Sequence, residues 1–314
     1  MKNIFTLLAL TISLSMNAQL AAVTENSNTG QRLSTSTAAN HGNIGNKAVD
    51  LSWSSSSSST KGATGAASTA MGQNVTAEGS YSTAIGNVVS SIGTNSTAMG
   101  VYSIANGYGS TAIGERNTTN GNRSTAMGYY TTTSDFGSLV IGQYNSSGSS
   151  VTNNATSFNT SNTAFVIGNG TTSSNKSDAF KVMFNGDATV SNDLTVSNDL
   201  TVSGDVVVSS DARLKSNIVS LGSTLSRLLL IDGKSYEMKG KQKIGVLAQD
   251  IKEVFPELVS EDANEMLAVN YQGLVPVLIN ALKEQDGKMK EQESKYLEQE
   301  KRLERLEKLV AQLD

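Results

Sequence analysis

The chain has 314 residues, of which only 5 % are aromatic, with one histidine and no cysteine. The lack of cysteine excludes disulfides, thiolate metal sites and cysteine nucleophiles, and a formal net charge of −4 offers no basic field for nucleic acid. The single histidine, His41, lies in a polar stretch, so we predict a solvated loop residue and not a metal ligand or catalytic base. We expect no cofactor and no metal site.

The N-terminus has the composition of a secretory signal. Lys2 provides the positive start and residues 4–16 the apolar stretch, which is too short for a comfortable membrane span. Small residues suited to cleavage follow it, namely Ala18, Ala21 and Ala22. We therefore predict a signal peptide over residues 1–22, export of the protein, and no transmembrane anchor in the mature chain. A buried N-terminal helix is the alternative.

Residues 23–61 are rich in serine, threonine and asparagine, and Ser54 to Ser59 form an unbroken serine run. A segment of this composition buries too little apolar surface to order itself. We therefore predict a flexible leader over residues 23–61.

Residues 62–142 contain a repeat with two superimposed periods. Glycine recurs at every seventh residue from Gly65 to Gly128, and a fourteen-residue phrase, Ser-Thr-Ala followed by Met or Ile and Gly, begins at Ser68. A coiled coil also has a seven-residue period, but it needs apolar a and d positions and tolerates glycine poorly. Short strands that turn at glycine fit better, with two strands in each coil of fourteen residues. We expect the alanine and the Met or Ile of each phrase to point inward as apolar ladders.

Six such coils have a thin core and exposed edges, which closure with identical partners around a three-fold axis would cover. The repeated phrase resembles the head of YadA-type trimeric autotransporter adhesins, over about residues 65–142. The resemblance implies a left-handed parallel β-roll, a homotrimer, and contact with host or matrix surfaces or glycans. Those adhesins end in a membrane-embedded anchor, which we do not expect this sequence to form.

Beyond the repeat we predict a connector over residues 143–184, in which residues 164–168 form one last coil. A six-residue period then follows, with aspartate at 187, 193, 199, 205 and 211 and valine at 190, 196, 202 and 208. Alternating β-branched residues with polar turns favour an intertwined three-chain β-stalk over residues 185–209. A hairpin meander is the alternative. The aspartates lack the spacing of calcium-binding rolls, so we interpret them as solvated turn residues.

Charged residues become dense after residue 209, and heptads appear over about residues 275–313. Position a is occupied by Val275, Leu282, Met289, Tyr296, Leu303 and Val310. Position d is occupied by Leu278, Gln285, Gln292, Gln299, Leu306 and Leu313. This pattern predicts a trimeric coiled coil, in which the three glutamines weaken the seam but can specify its register. A lone surface helix is the alternative.

Between stalk and coiled coil, Ser210 and Lys215 stand five residues apart. A lysine can act as general base for a serine when burial lowers its pKa. A regular helix would put the two side chains on different faces, and an extended chain would put them roughly 16 Å apart. A turn or a neighbouring subunit must therefore bring them together.

Three motifs in this region share an order. They are Ser-Asp-Ala-Arg-Leu-Lys-Ser-Asn-Ile from Ser210, Gly-Val-Leu-Ala-Gln-Asp from Gly245 and Val-Phe-Pro-Glu-Leu-Val from Val254. Together with Val-Asn-Tyr at 269–271, they resemble the C-terminal intramolecular chaperone of endosialidases and phage tail fibres, over residues 210–314. The resemblance implies a domain that trimerises, guides folding of the preceding β-fibre and cuts itself off. It also implies that Ser210 is the nucleophile and Lys215 the base, with the scissile bond next to Ser210, at Ser209–Ser210.

The predicted fold class is therefore mixed, an elongated homotrimer with a β-roll head, a β-stalk and an α+β chaperone domain that ends in a coiled coil. The predicted function is an exported surface fibre matured by single-turnover self-cleavage, without turnover of external substrates. A phage or tailocin tail fibre, or an adhesin without processing, are the alternatives.

Overall fold

The structure is a computed structural model that describes residues 20–146, 154–196 and 199–310. The chain divides into two compact units, one up to Thr201 and one from Val202 onward. The predicted signal peptide lies outside the described residues, apart from its last three positions, Leu20 to Ala22, which form the first half of a strand.

The first unit is a solenoid in which each fourteen-residue coil adds a five-residue strand to a long sheet and a two-residue strand to a short sheet. Its strands are β1 (Leu20–Glu25), β2 (Asn28–Leu33), β3 (Val49–Trp53), β4 (Gly62–Ala63), β5 (Thr69–Gln73), β6 (Thr76–Ala77), β7 (Thr83–Asn87), β8 (Ser90–Ser91), β9 (Thr97–Val101), β10 (Ile104–Ala105), β11 (Thr111–Glu115), β12 (Thr118–Thr119), β13 (Thr125–Tyr129), β14 (Thr132–Thr133), β15 (Leu139–Gln143), β16 (Thr163–Asn169), β17 (Asp178–Met183) and β18 (Ala188–Val190). The long sheet has the order β1-β2-β3-β5-β7-β9-β11-β13-β15-β16-β17-β18, and the short sheet runs from β4 to β14 through the even-numbered strands. Neighbouring coils pair parallel and in register, so that Gly86 lies opposite Gly100. The prediction of two strands in each fourteen-residue coil is confirmed.

The seven-residue glycine period consists of two ladders, each with one member per coil. Gly100, at the strand, has a φ of +114°, and a Cβ there would lie 2.0 Å from the carbonyl oxygen of Gly114 on the next coil. Gly107, at the turn before the next strand, has no such φ, but its Cβ would lie 2.2 Å from the carbonyl oxygen of Gly121. Both ladders therefore exclude side chains because the coils stack backbone to backbone.

The alanine of each phrase fills the core, whereas the Met or Ile does not. Ala84 and Ala98 are fully buried, while Met71, Met99 and Met127 are 41 %, 36 % and 41 % exposed. The expectation that both residues point inward is wrong, because adjacent residues of a strand point to opposite faces. The Met and Ile side chains instead form an apolar stripe on the outer face of the long sheet.

The core becomes polar along the solenoid. Val75 and Val89 are fully buried, and the same position in later coils is occupied by Ser103, Asn117 and Thr131. The Asn117 amide donates to the carbonyl oxygens of Ile113 and Gly128, and its Oδ1 accepts from the backbone and hydroxyl of Thr131. These bonds compensate for burial of the amide group.

The segment predicted as a flexible leader is ordered. β1 and β2 form an antiparallel pair, β2 pairs with β3, and β3 continues the parallel sheet into β5. Arg32, which is 3 % exposed, contacts Glu25 at 2.8 Å and Asp50 at 3.3 Å. The prediction fails because the segment gains its order from strand pairing to the first coil and from buried charge pairs, neither of which requires an apolar composition.

The long sheet also continues past residue 142. β16 pairs parallel with β15, with Gly142 opposite Gly168, so the last coil predicted at residues 164–168 is confirmed. β17 and β18 then add antiparallel strands within the predicted connector and stalk. Apart from β18, the described part of residues 185–209 contains no strand. Its apolar side chains are exposed: Leu194, Val196, Leu200, Val202, Val206, Val207 and Val208. The three-chain stalk stays a prediction.

The second unit is a small α/β region followed by a long helix. Its elements are α1 (Leu225–Leu228), β19 (Lys234–Met238), β20 (Lys241–Gly245), α2 (Ala248–Val254), β21 (Val259–Glu261), β22 (Leu267–Val269) and α3 (Leu274–Val310). Ile251, Phe255 and Val277 form its buried core, with the Arg227 guanidinium 4.1 Å from the centre of the Phe255 ring. The start of α3 is thus fixed against α2 through one face.

The heptad positions of α3 lie on a different, exposed face. Leu282, Met289 and Tyr296 are 69 %, 59 % and 72 % exposed. The heptads predict a helix over about residues 275–313, and α3 covers the described part of that range. The association of α3 into a coiled coil stays a prediction.

Candidate functional site

A short turn brings Ser210 and Lys215 together. Residues 212–214 form a 3₁₀ turn, in which the Lys215 N–H donates to the carbonyl of Ala212 at 3.1 Å. The chain therefore doubles back, and Lys215 Nζ donates a hydrogen bond of 2.7 Å to Ser210 Oγ. The turn that their spacing requires is present within one chain.

Asp211 holds this turn, a role that the sequence reading left unassigned. Its Oδ1 accepts a hydrogen bond of 2.8 Å from the Arg213 backbone, and its Oδ2 pairs with the Arg213 guanidinium at 2.6 Å. The Arg213 side chain and backbone hold the pKa of the Asp211 carboxyl below its usual value of 3.8. An aspartate directly before a short helical turn is the sequence signal that could have revealed this cap.

Ser210 and Lys215 are both solvent-exposed in the single chain. Water therefore surrounds the pair in the single chain. The single chain therefore brings the two side chains into contact but does not bury them.

The chain that follows the pair is anchored to α3. The Glu284 carboxylate accepts from the Ser223 hydroxyl at 2.6 Å and from the backbone N–H groups of Thr224 and Leu225. These hydrogen bonds lower the pKa of Glu284. The Thr224 hydroxyl donates to the Val277 carbonyl at 2.9 Å. Helix α3 therefore fixes the position of the chain shortly after Lys215.

The first unit also contains serines close to basic side chains, at Lys61 and at the single histidine. The expectation that His41 is a solvated loop residue is wrong: it is 6 % exposed, with Nδ1 3.0 Å from Asp50 Oδ2. The cause is that Gly42 and Gly45 hydrogen-bond to the backbone of Lys61 and Ala63, so the segment packs on the next coil. Ser52 Oγ lies 3.4 Å from His41 Nδ1 and donates to Asp50 at 2.5 Å. A catalytic triad needs the serine and the aspartate on opposite nitrogens of the ring. These three residues are therefore structural.

Burial raises the pKa of the Asp50 carboxyl, but hydrogen bonds from His41 and Ser52 outweigh burial and hold the pKa below its usual value of 3.8. Within the described residues, no group of three or more His, Asp or Glu side chains is placed to hold a metal ion. No helix in that part of the chain is long and apolar enough to cross a membrane.

Comparison with known families separates the same two regions. Residues 63–87, 91–114 and 105–131 match the YadA head domain repeat. Residues 210–260, which begin at the serine of the Ser210–Lys215 pair, match the peptidase family described as chaperone of endosialidase. No curated protein matches the chain. The chain therefore carries YadA head repeats followed by a chaperone-of-endosialidase segment, in the order that the sequence motifs predict.

Proposed function

We propose that this protein is an exported homotrimeric surface fibre, whose C-terminal domain assembles the trimer and then releases itself by cleavage next to Ser210. The observation that carries the proposal is the 2.7 Å contact between Ser210 and Lys215, at the first residues of the chaperone-of-endosialidase match and downstream of the roll.

Three exposed apolar surfaces support the trimer. The first is the Met and Ile stripe on the outer face of the long sheet, the second is the run of valines and leucines in residues 194–208, and the third is the heptad face of α3. Contiguous apolar surface of this kind marks a protein contact, and a second and third copy of the chain supply matching surfaces in the same order.

The chemistry of release follows from the pair. Neutral Lys215 accepts the proton of the Ser210 hydroxyl, and Oγ attacks the carbonyl carbon of Ser209. The peptide bond breaks as the amine of Ser210 leaves with a proton, and an ester joins residue 209 to Oγ. Water then hydrolyses the ester, so that residue 209 ends as a carboxylate and the fragment 210–314 begins with a free amine and an intact serine.

Cleavage is coupled to assembly because the pair is exposed in one chain. When three copies associate through α3, neighbouring chains exclude water from the turn, and the neutral form of the lysine becomes accessible. The coiled coil forms quickly from local contacts, whereas threading three β-chains in register is slow. Once the domain has gone, the barrier to unfolding keeps the fibre assembled.

The test is expression of the full chain with Ser210→Ala, Lys215→Ala or Lys215→Arg, followed by denaturing electrophoresis and mass spectrometry. All three variants should remain full-length, since arginine keeps the charge but cannot be deprotonated. Ser216→Ala, one residue beyond the pair, serves as the control and should release 210–314 as the wild type does. Unchanged release from both Ser210→Ala and Lys215→Ala would contradict the proposed chemistry.

A further inference from the structure

The coils between residues 62 and 146 contain two basic residues, Arg116 and Arg123, and both lie against aromatic rings of neighbouring coils. The two guanidinium groups have different surroundings. That difference separates a structural contact from an open site.

Arg116 is fully engaged by its own chain. Its guanidinium carbon lies 5.0 Å and 5.1 Å from the ring centres of Tyr102 and Tyr130, which stand at the same position on the preceding and following coils. It also donates to the Tyr130 hydroxyl and lies 3.6 Å from the Glu115 carboxylate. Both faces and the charge of Arg116 are therefore already satisfied.

Arg123 is open. It is exposed, with its guanidinium carbon 5.9 Å from the Tyr108 ring centre and 5.4 Å from that of Phe136. Within the described residues, no carboxylate forms an ion pair with it. The same position on the neighbouring coils is occupied by Gly109 and Gly137, and the side chains of Arg123 and Phe184 lie over these two glycines. Two rings flank the guanidinium as they do at Arg116, and what distinguishes Arg123 is an exposed charge without a carboxylate partner among the described residues.

Tyrosine rings and asparagine amides surround Arg123, and hydrogen bonds hold some of them in position. Tyr81 and Tyr108 are 66 % and 46 % exposed. The Asn95 amide donates to the Tyr108 hydroxyl at 3.2 Å, and Asn122 Oδ1 accepts from the Tyr108 backbone at 2.8 Å, which fixes that residue. Tyr81 and Asn95 stand on the same ladder as Arg123, on earlier coils. At about 4.8 Å per coil, the surface extends about 14 Å from Tyr81 to Arg123.

We propose that this Arg123 corner, made of Tyr81, Asn95, Tyr108, Arg123 and Phe136, binds an acidic polysaccharide. A guanidinium pairs bidentately with a carboxylate or sulfate group, and rigid exposed tyrosine rings offer apolar faces with a polar edge. A ladder with one step per coil suits a linear polymer of repeated units. The inference rests on display of the roll as a surface fibre, as proposed above, and does not depend on self-cleavage.

The test measures binding of the purified full chain to immobilised polygalacturonate, heparin and dextran. Wild type should bind at least one of the two acidic polymers and not neutral dextran. Arg123→Gln should lower the apparent affinity at least about tenfold, because three sites in a trimer act together. The matched control, Arg116→Gln, should stay within about twofold of wild type.

Three results would overturn the inference. The first is absence of binding to both acidic polymers, and the second is an equal loss of affinity in Arg123→Gln and Arg116→Gln. The third is dissociation of the trimer in Arg123→Gln, because the corner would then be a contact between subunits. Release of fragment 210–314 is followed in the same preparations. Normal release without polysaccharide binding refutes the Arg123 corner alone, whereas binding without release refutes self-cleavage alone.

Discussion

Replacement of Gly100 by alanine tests the backbone-to-backbone stacking of the coils. The new Cβ would lie 2.0 Å from the Gly114 carbonyl oxygen, whereas close carbon–oxygen contacts in sheets are about 3.3 Å or longer. Adjacent coils must therefore separate locally by about 1 Å, which exceeds the tolerance of a hydrogen bond. One or two unsatisfied buried backbone groups cost about 1–3 kcal/mol each. The φ of +114° costs an alanine about 1–3 kcal/mol more.

The middle of these ranges gives an expected loss of about 3–6 kcal/mol, or a fall in melting temperature of about 6–24 °C at 2–4 °C per kcal/mol. Two nearby glycines separate the contributions. Gly107→Ala introduces the steric clash without an unfavourable φ. Gly109→Ala introduces a residue at a φ of +61° without a clash, because the atom nearest to its Cβ, Arg123 Cγ, would be 3.8 Å away. Gly109→Ala should cost only about 1 kcal/mol, since the left-handed region is mildly unfavourable for alanine.

The measurement is thermal unfolding of the full chain by circular dichroism, at one concentration and one scan rate, because the melting temperature of an oligomer depends on concentration and that of an irreversible transition depends on scan rate. The order of destabilisation should be Gly100→Ala, then Gly107→Ala, then Gly109→Ala. A melting temperature of Gly100→Ala within 2–4 °C of wild type, a shift worth about 1 kcal/mol, would refute the proposed stacking.

Three further predictions concern substitutions at Val88, Asp50 and Met99, two of them with a matched control. Val88 has a φ of +54°, which a β-branched residue tolerates poorly, so Val88→Asn should raise the melting temperature by about 2–4 °C. The control, Val89→Asn, places an amide at a fully buried position and should lower the melting temperature. Asp50→Asn should cost about 1–3 kcal/mol near pH 7, because it removes the buried carboxylate that contacts Arg32, His41 and Ser52, while Arg32 keeps its pair with Glu25. The fold holds the pKa of the Asp50 carboxyl below 3.8, so the stability that the carboxylate contributes is present above pH 3.8 and is lost as the pH falls below that value. In acid unfolding experiments, the cost of Asp50→Asn should therefore become smaller below pH 3.8. Met99→Glu should dissociate the trimer in light scattering, whereas Asn120→Glu, on the side of the short strands, should not.

Each of these outcomes can fail independently. A stabilising effect of Asn at Val89 would contradict the burial of that position. A cost of Asp50→Asn that is constant from pH 7 to pH 3 would show that its charge is not what matters. A trimer that survives Met99→Glu would show that the Met and Ile stripe is not the subunit contact.

The regular parts of the fold could be predicted because they depend on local sequence. The glycine spacing specifies two close approaches per coil, and Ala164 to Gly168 repeats the phrase closely enough to predict β16. The prediction that Met points inward was wrong. The alternation of side chains along a strand already places Ala98 and Met99 on opposite faces. Periodicity therefore gave the coils correctly, and the direction of each side chain needed the residue-by-residue alternation as well.

The order of the N-terminal segment could not be predicted from composition. Arg32 meets Asp50 across eighteen residues, and His41 joins them from a separate loop, so the contacts are non-local and polar. Rules of composition count apolar residues and overlook such pairs. The Ser210–Lys215 contact is the opposite case, because Asp211 and the turn after it are local, and they suffice to bring the two side chains together.

The strands at the two ends of the long sheet determine whether further chains can add to it. A stack of identical parallel strands in register is also the arrangement by which amyloid fibrils recruit new chains. Among the described residues the outermost strands of this sheet, β1 and β18, run antiparallel to their neighbours and lack the repeated phrase. A coil from another molecule cannot continue the glycine ladders over such an edge. The chain can therefore contain many copies of a self-stacking sequence and still end its own stack at a fixed length.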